Sequence, residues 1–166
     1  RASADNEDAG GAMTELLFYH LQNATLESVL PAHLEKSRGR GWRVVVQTAS
    51  EERAEALDGY LWTYRDESFL PHVTWRERDM GGQPIVITVD EANPNDATVR
   101  FLVEGAVLPR EADRYERIVV IFDGDDEDAV AQARMAWKEG RARGFEATYW
   151  QRDARGAWVR RDQGNQ

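Results

Sequence analysis

The chain contains no cysteine. Disulfide frameworks, Cys-ligated metals and thiol chemistry are therefore excluded, and the absence fits a reducing compartment. No apolar run reaches the roughly 18 residues of a membrane-spanning helix. The opening "RASADNEDAGGA" has no apolar segment that would make it a signal peptide. A cytoplasmic location without membrane attachment is expected. Three histidines, His20, His33 and His72, stand apart, with neither zinc spacing nor a triad pattern. GxSxG, GxGxxG and the Lys-bearing phosphate loop GxxxxGK(S/T) are all missing. Repeats and low-complexity tracts are missing too. No cofactor, metal or catalytic residue is expected from these patterns.

What is present describes a globular domain. A chain of 166 residues buries roughly 68–70% of its unfolded surface as one domain. Six tryptophans supply more large anchors than a disordered chain carries. Met13 reads as the natural start, with residues 1–12 a leader outside the fold. One domain is expected over 13–150, with 151–166 as a C-terminal extension closing as a hairpin strand. The net charge of −9 is unevenly divided: residues 1–128 hold 13 basic and 26 acidic side chains, and residues 129–166 hold 8 and 4. An acidic body repels nucleic acid, whereas a basic end captures an anionic peptide.

The hydrophobic pattern alternates strand and helix. "MTELLFYHL" (13–21), "WRVVVQT" (42–48), "PIVITVD" (84–90), "VRFLVEG" (99–105) and "RIVVIFD" (117–123) read as strands, the β-branched runs as buried parallel ones. "NATLESVLPAHLEKSRGRG" reads as a helix capped by Thr25 or Ser28; a Ser28 cap would leave Pro31 in the first turn, where proline is tolerated. Ser50 caps a second helix at "EERAEALDGYLW", and "TYRDESFLPH" (63–72) reads as a loop. "GDDEDAVAQARMAWKEGRARG" is the long helix, and "FEATYWQRD" with "AWVRR" forms a hairpin. The order argues α/β, with a largely parallel sheet covered on both faces.

On a helical wheel at about 100° per residue, Ala129, Ala133, Ala136 and Gly140 form a narrow small-residue stripe suited to close packing on a sheet. Arg134, Trp137, Lys138 and Arg141 share a separate arc, with Trp137 bordering the stripe. A tryptophan wall beside cationic heads suits a ligand with an apolar end and adjacent carboxylates. Bases near a helix C-terminus also complement its dipole or line a solvated face. Spacing alone leaves both readings open.

Short motifs then add a resemblance. "FYHL" (18–21), "LW" (61–62), "ESFLPH" (67–72), "GGQPIVI" (81–87) and "ARMAWKEGRARGF" (133–145) together resemble the chi subunit of the bacterial DNA polymerase III holoenzyme, over Met13 to Trp150. The resemblance implies a non-catalytic, Rossmann-like three-layer α/β fold with a mostly parallel central sheet. It implies two partners: the acidic C-terminal tail of single-stranded-DNA-binding protein (SSB), which ends Ile-Pro-Phe, and a psi subunit or equivalent component of the clamp loader. By the same resemblance Arg134, Trp137 and Lys138 contact the tail and Trp62 lies near that pocket. Ser68, Phe69, Pro71 and His72 meet psi. The family carries Tyr where this chain has Trp137, and a base where it has Val130. Arg141, one turn beyond Lys138 on the same arc, is placed to substitute for that base.

Two other classes compete. Asp123, Asp125 and Asp126 at a strand's C-terminal end are where an Mg²⁺-dependent phosphoryl-transfer or nucleotide-binding enzyme would hold its metal; acids at a helix start also favour its positive terminus. Arg152, Arg155, Arg160 and Arg161 interleave with Tyr149, Trp150 and Trp158 as on single-strand platforms. The acidic body opposes that reading, and no direct nucleic-acid contact is expected. Phe69 and Leu70 beside Pro71 suit either an interface or the domain's own core.

Overall fold

The computed structural model describes residues 13–63 and 70–161. In chain order these form β1 (Glu15–Leu21), α1 (Leu26–Gly39), β2 (Val44–Gln47), α2 (Glu51–Thr63), β3 (Val73–Thr74), β4 (Ile85–Thr88), β5 (Val99–Leu102), a 3-10 turn (Ala112–Arg114), β6 (Arg117–Asp123), α3 (Glu127–Ala142), β7 (Glu146–Arg152) and β8 (Trp158–Arg161). The strands make one sheet ordered β3-β4-β2-β5-β6-β1-β7-β8. Every neighbouring pair is parallel except β7–β8, the C-terminal hairpin.

Side-chain alternation along these strands sorts the apolar residues to two faces. Val44, Val46, Ile85, Phe101, Val119 and Ile121 meet Leu30 and Leu34 of α1 and Leu57 and Leu61 of α2. On the opposite face, Leu16, Phe18, Val45, Ile118 and Val120 meet Ala133 of α3 and Leu108, Ala112 and Tyr115 of the β5–β6 connection. Helices thus cover both faces, in the expected three-layer α/β architecture.

Local chemistry sets the helix ends. Thr25 is the N-cap of α1, its hydroxyl accepting from the Ser28 N–H at 3.2 Å. Ser28 is therefore not the cap, and Pro31 falls in the second turn, where it removes the bond to the Glu27 carbonyl. Ser50 Oγ accepts from the Arg53 N–H at the start of α2, and Asp126 accepts from the N–H groups of Asp128 and Ala129 at the start of α3. The last turn of α3 closes with Gly144 at φ 88°, its N–H bonded to the Arg141 carbonyl and the Phe145 N–H to the Gly140 carbonyl.

Within the expected 63–72 loop, Leu70 is buried in the α1–α2 core, so this residue serves the domain itself. The two-residue β3 that follows escaped the pattern, because it is too short to show a period.

Candidate functional site

α3 lies on the sheet through its small residues. Ala133 and Gly140 are buried, with Ala129 and Ala136 packed at the border of the same core. A Cβ on Gly140 would collide with Leu16 Cδ2 of β1, so the helix backbone meets the leucine side chain directly. That close approach fixes the roll of the helix. Trp137 sits at its margin, half-buried, with ring centroids 5.3 Å from Phe18 and 6.5 Å, edge-on, from Tyr149. Phe18 and Tyr149 are register partners on β1 and β7. The indole rests on a floor of two aromatics.

Arg134, Lys138 and Arg141 stand exposed on the same helix, and none forms an ion pair among the described residues. Arg143 behaves differently: it pairs with Glu139 at 3.2 Å and donates to the carbonyls of Pro109 and Arg110. That cation is structural. Burial pushes the Tyr149 phenol up, while the Arg134 guanidinium pulls it the other way, which sets Arg134 within electrostatic reach of the floor. His20 hydrogen-bonds the Tyr149 hydroxyl through Nδ1. Burial holds its pKa below the ordinary value, against the pull of Asp125 and Asp123. Tyr149, Phe18 and His20 were not expected at this site. The signal lay in the alternation of "TYW", which sends Tyr149 to the α3 face and Trp150 to the other.

A cavity of about 270 Å³ opens along α3 on its other flank, lined by Val107, Leu108, Ala129, Ala133, Met135 and Ala136. Its lining does not include Trp137. This cavity and the half-buried indole are therefore separate features of the helix.

Trp62 does not share this surface, which corrects its expected place. It ends α2, on the face of the sheet opposite α3, and its ring centroid lies 4.1 Å from that of His72. The resemblance grouped two tryptophans that the sheet separates. Trp62 is 48% exposed and joins Asp58, Pro71 and His72 around a separate hollow of about 380 Å³. His72 is buried; its Nδ1 faces the Leu70 carbonyl at 2.6 Å and its Nε2 faces Asp58 Oδ1 at 3.1 Å. It braces this loop from beneath. Ser68 and Phe69 lie outside the described residues.

The aspartates expected as a metal alternative have three separate local tasks. Asp123 Oδ1 accepts from the Asp125 N–H, Asp125 Oδ2 from the Asn23 N–H, and Asp126 caps α3. Among the described residues no group of three carboxylates or histidines is arranged to hold a metal ion. No described helix is long and apolar enough to cross a membrane.

Comparison with known proteins bears on these surfaces. The family model described as DNA polymerase III chi subunit, HolC, matches residues 13–148. The chain belongs to the DNA polymerase III chi subunit family. It is 28% identical over 123 residues to a Rickettsia prowazekii protein named "Probable DNA polymerase III subunit chi", covering 70% of this chain and 74% of that one. It is 29% identical over 126 residues to the DNA polymerase III subunit chi of Pseudomonas aeruginosa, covering 73% and 84%. Membership places the chain among the subunits of the replicative polymerase and sets aside the phosphoryl-transfer alternative. The match ends at residue 148, before β8.

Proposed function

We propose that this chain is a non-catalytic adaptor of the replisome, whose α3 surface binds the acidic C-terminal tail of SSB. The observation that carries the reading is the set of three exposed cations, without an ion pair among the described residues, around one half-buried indole in a chain of net charge −9. Arg134, Lys138 and Arg141 receive the tail carboxylates, Arg as a planar fork and Lys as a point charge. The terminal Phe ring packs on Trp137, above Phe18 and Tyr149.

Burying that ring contributes roughly 1.5–3 kcal/mol, and each charge-assisted hydrogen bond about 1.5–3. Association and tail ordering cost roughly 4–15 kcal/mol. A micromolar complex, near about −8 kcal/mol, is expected, and salt weakens it.

The second surface, on the opposite face, is the exposed Trp62 over His72 and Pro71, beside the edge strand β3. It receives psi or an equivalent clamp-loader component, with Ser68 and Phe69 of the neighbouring segment taking part. SSB and the clamp loader are thereby joined through one rigid sheet.

Calorimetric titration of a tail peptide ending in Phe tests the first surface. Arg134→Ala is expected to weaken binding about tenfold, the equivalent of ~1.4 kcal/mol. Equal affinities would remove the tail from α3. A pull-down comparing full-length SSB with SSB lacking its last residues asks the same question of the whole protein.

A further inference from the structure

The two helices on one face of the sheet pack over β4, β2, β5 and β6, and beyond them only α1 reaches toward β1 and the β7–β8 hairpin, leaving a gap between helix and strands. What lines the open end is unlike the rest of the molecule. Tyr19 on β1 is the register partner of Trp150 on β7, and Trp150 is the partner of Arg160 on β8. The Tyr19 and Trp150 rings lie nearly parallel, with centroids 6.0 Å apart and planes 21° apart. Trp158 stands edge-on to Tyr19 at 4.9 Å, with the Arg152 guanidinium 4.9 Å from its own ring centroid. From the helix side, His33 and Lys36 of α1 and Arg40 at its C-cap line the same cleft. Together they enclose a cleft of about 470 Å³.

Its charge is opposite to that of the chain. Arg117 is neutralised by Glu15 at 3.0 Å. Lys36, Arg40 and Arg160 then face one further carboxylate, Glu146, and none of the three forms an ion pair among the described residues. The cleft thus keeps a positive excess in a protein of net charge −9. His33 reports that field: its pKa falls to about 4, by burial first and by the Lys36 and Arg152 charges next. Its Nε2 is buried with no hydrogen-bond partner among the described residues.

We propose that this cleft binds a nucleotide unit, with the base against the Tyr19–Trp150–Trp158 aromatics and the phosphate on Lys36, Arg40 and Arg160. Aromatic faces beside cations are what single-strand sites use, because every base presents a π-face whatever its sequence. A peptide strand is less suited here: its main chain would need an open ladder, and this surface is a sheet face whose ladder bonds are already made within the sheet. The chain's overall acidity does not oppose the site, since charges more than about 10 Å away are screened at ordinary salt. The expectation of no direct nucleic-acid contact summed charge along the sequence. It had no means of placing α1 over the hairpin. The unit is either a free nucleotide or one residue of a single strand.

Fluorescence anisotropy of labelled oligothymidylate with the full chain tests this, with thymidine monophosphate as competitor. Binding is expected at about 50 mM salt and should be roughly threefold weaker at about 200 mM, the slope for one phosphate neutralised on a single strand. The exposed pair Lys36→Glu/Arg160→Glu should lower affinity at least about tenfold with an unchanged melting transition. Arg134→Ala, on the other face, should leave it unaltered, so failure here is separable from failure of the tail site. Displacement by the monophosphate supports a free nucleotide ligand, and binding of the oligomer alone supports a strand. The proposal is overturned if neither probe binds at low salt, if the double variant binds as wild type does, or if Arg134→Ala abolishes binding. It is equally overturned if only an acidic peptide shifts the Trp150 and Trp158 indole resonances.

Discussion

Leu16 Cδ2 occupies the space that a side chain on Gly140 would need, so the Leu16 side chain of β1 packs directly on the backbone of α3. In an ordinary helix interior, Gly→Ala gains up to about 1 kcal/mol. Here the new methyl meets a buried leucine on a core strand, and overpacking of this kind costs about 1–3 kcal/mol. Gly140→Ala is therefore expected to lower stability in urea denaturation despite its better helix propensity. An increase would show that α3 can lift from the strand without loss.

Arg100 is fully buried in mid-sheet. Its guanidinium donates to Gln47 Oε1 at 2.9 and 2.7 Å, to the Ala92 carbonyl at 2.9 Å and to the Tyr115 hydroxyl at 2.8 Å. Among the described residues no carboxylate side chain hydrogen-bonds it, and burial draws its pKa down. Arg100→Met keeps the stem and strands these acceptors, at a cost of about 3 kcal/mol or more. The urea midpoint should fall accordingly; a loss under about 1 kcal/mol would mean that the acceptors find new donors.

His33 makes stability depend on pH in a defined window. Its folded pKa is about 4 against an ordinary 6.5, so the folded state favours the neutral ring. The contribution is complete above about pH 6.5 and is lost as pH falls toward 4, where the unfolded chain takes the proton first. The difference amounts to about 2–3 kcal/mol between pH 7 and pH 4.5. His33→Phe should show a correspondingly shallower loss over that interval. Parallel curves for the two proteins would refute the assignment.

Trp137 offers a graded test of the tail surface. A ring that acts as a wall tolerates another flat ring, so Trp137→Tyr should keep peptide affinity within about threefold, whereas Trp137→Ala removes the packed face and loses about tenfold or more. Calorimetry distinguishes them. Equal losses from both would mean that the indole N–H, rather than its face, makes the contact.

Much of the architecture was legible along the chain. The β-branched run at 117–123 is a strand over those same residues, and Thr25 and Ser50 cap where their hydroxyls predict. The alanine stripe with Gly140 does face the sheet, because helical periodicity is a local property. Face assignment is not local. Trp62 and Trp137 are each placed by the crossover that carries their helix to one side, and no spacing between them reports it. Arg100 escaped for a related reason: inside "VRFL" it looks like an exposed alternate position, and its acceptors come from Gln47 on β2, Tyr115 and the loop before β5, which only the fold brings together. The α1–hairpin cleft likewise joins residues more than a hundred positions apart.

The eight strands act as a partition with Trp137 on one side and Trp62 on the other. Partners seated on the two proposed surfaces would therefore neither crowd nor shield one another. Tension between two such partners would pass through hydrogen-bonded ladders rather than a hinge, and a pull on one would be transmitted to the other without slack.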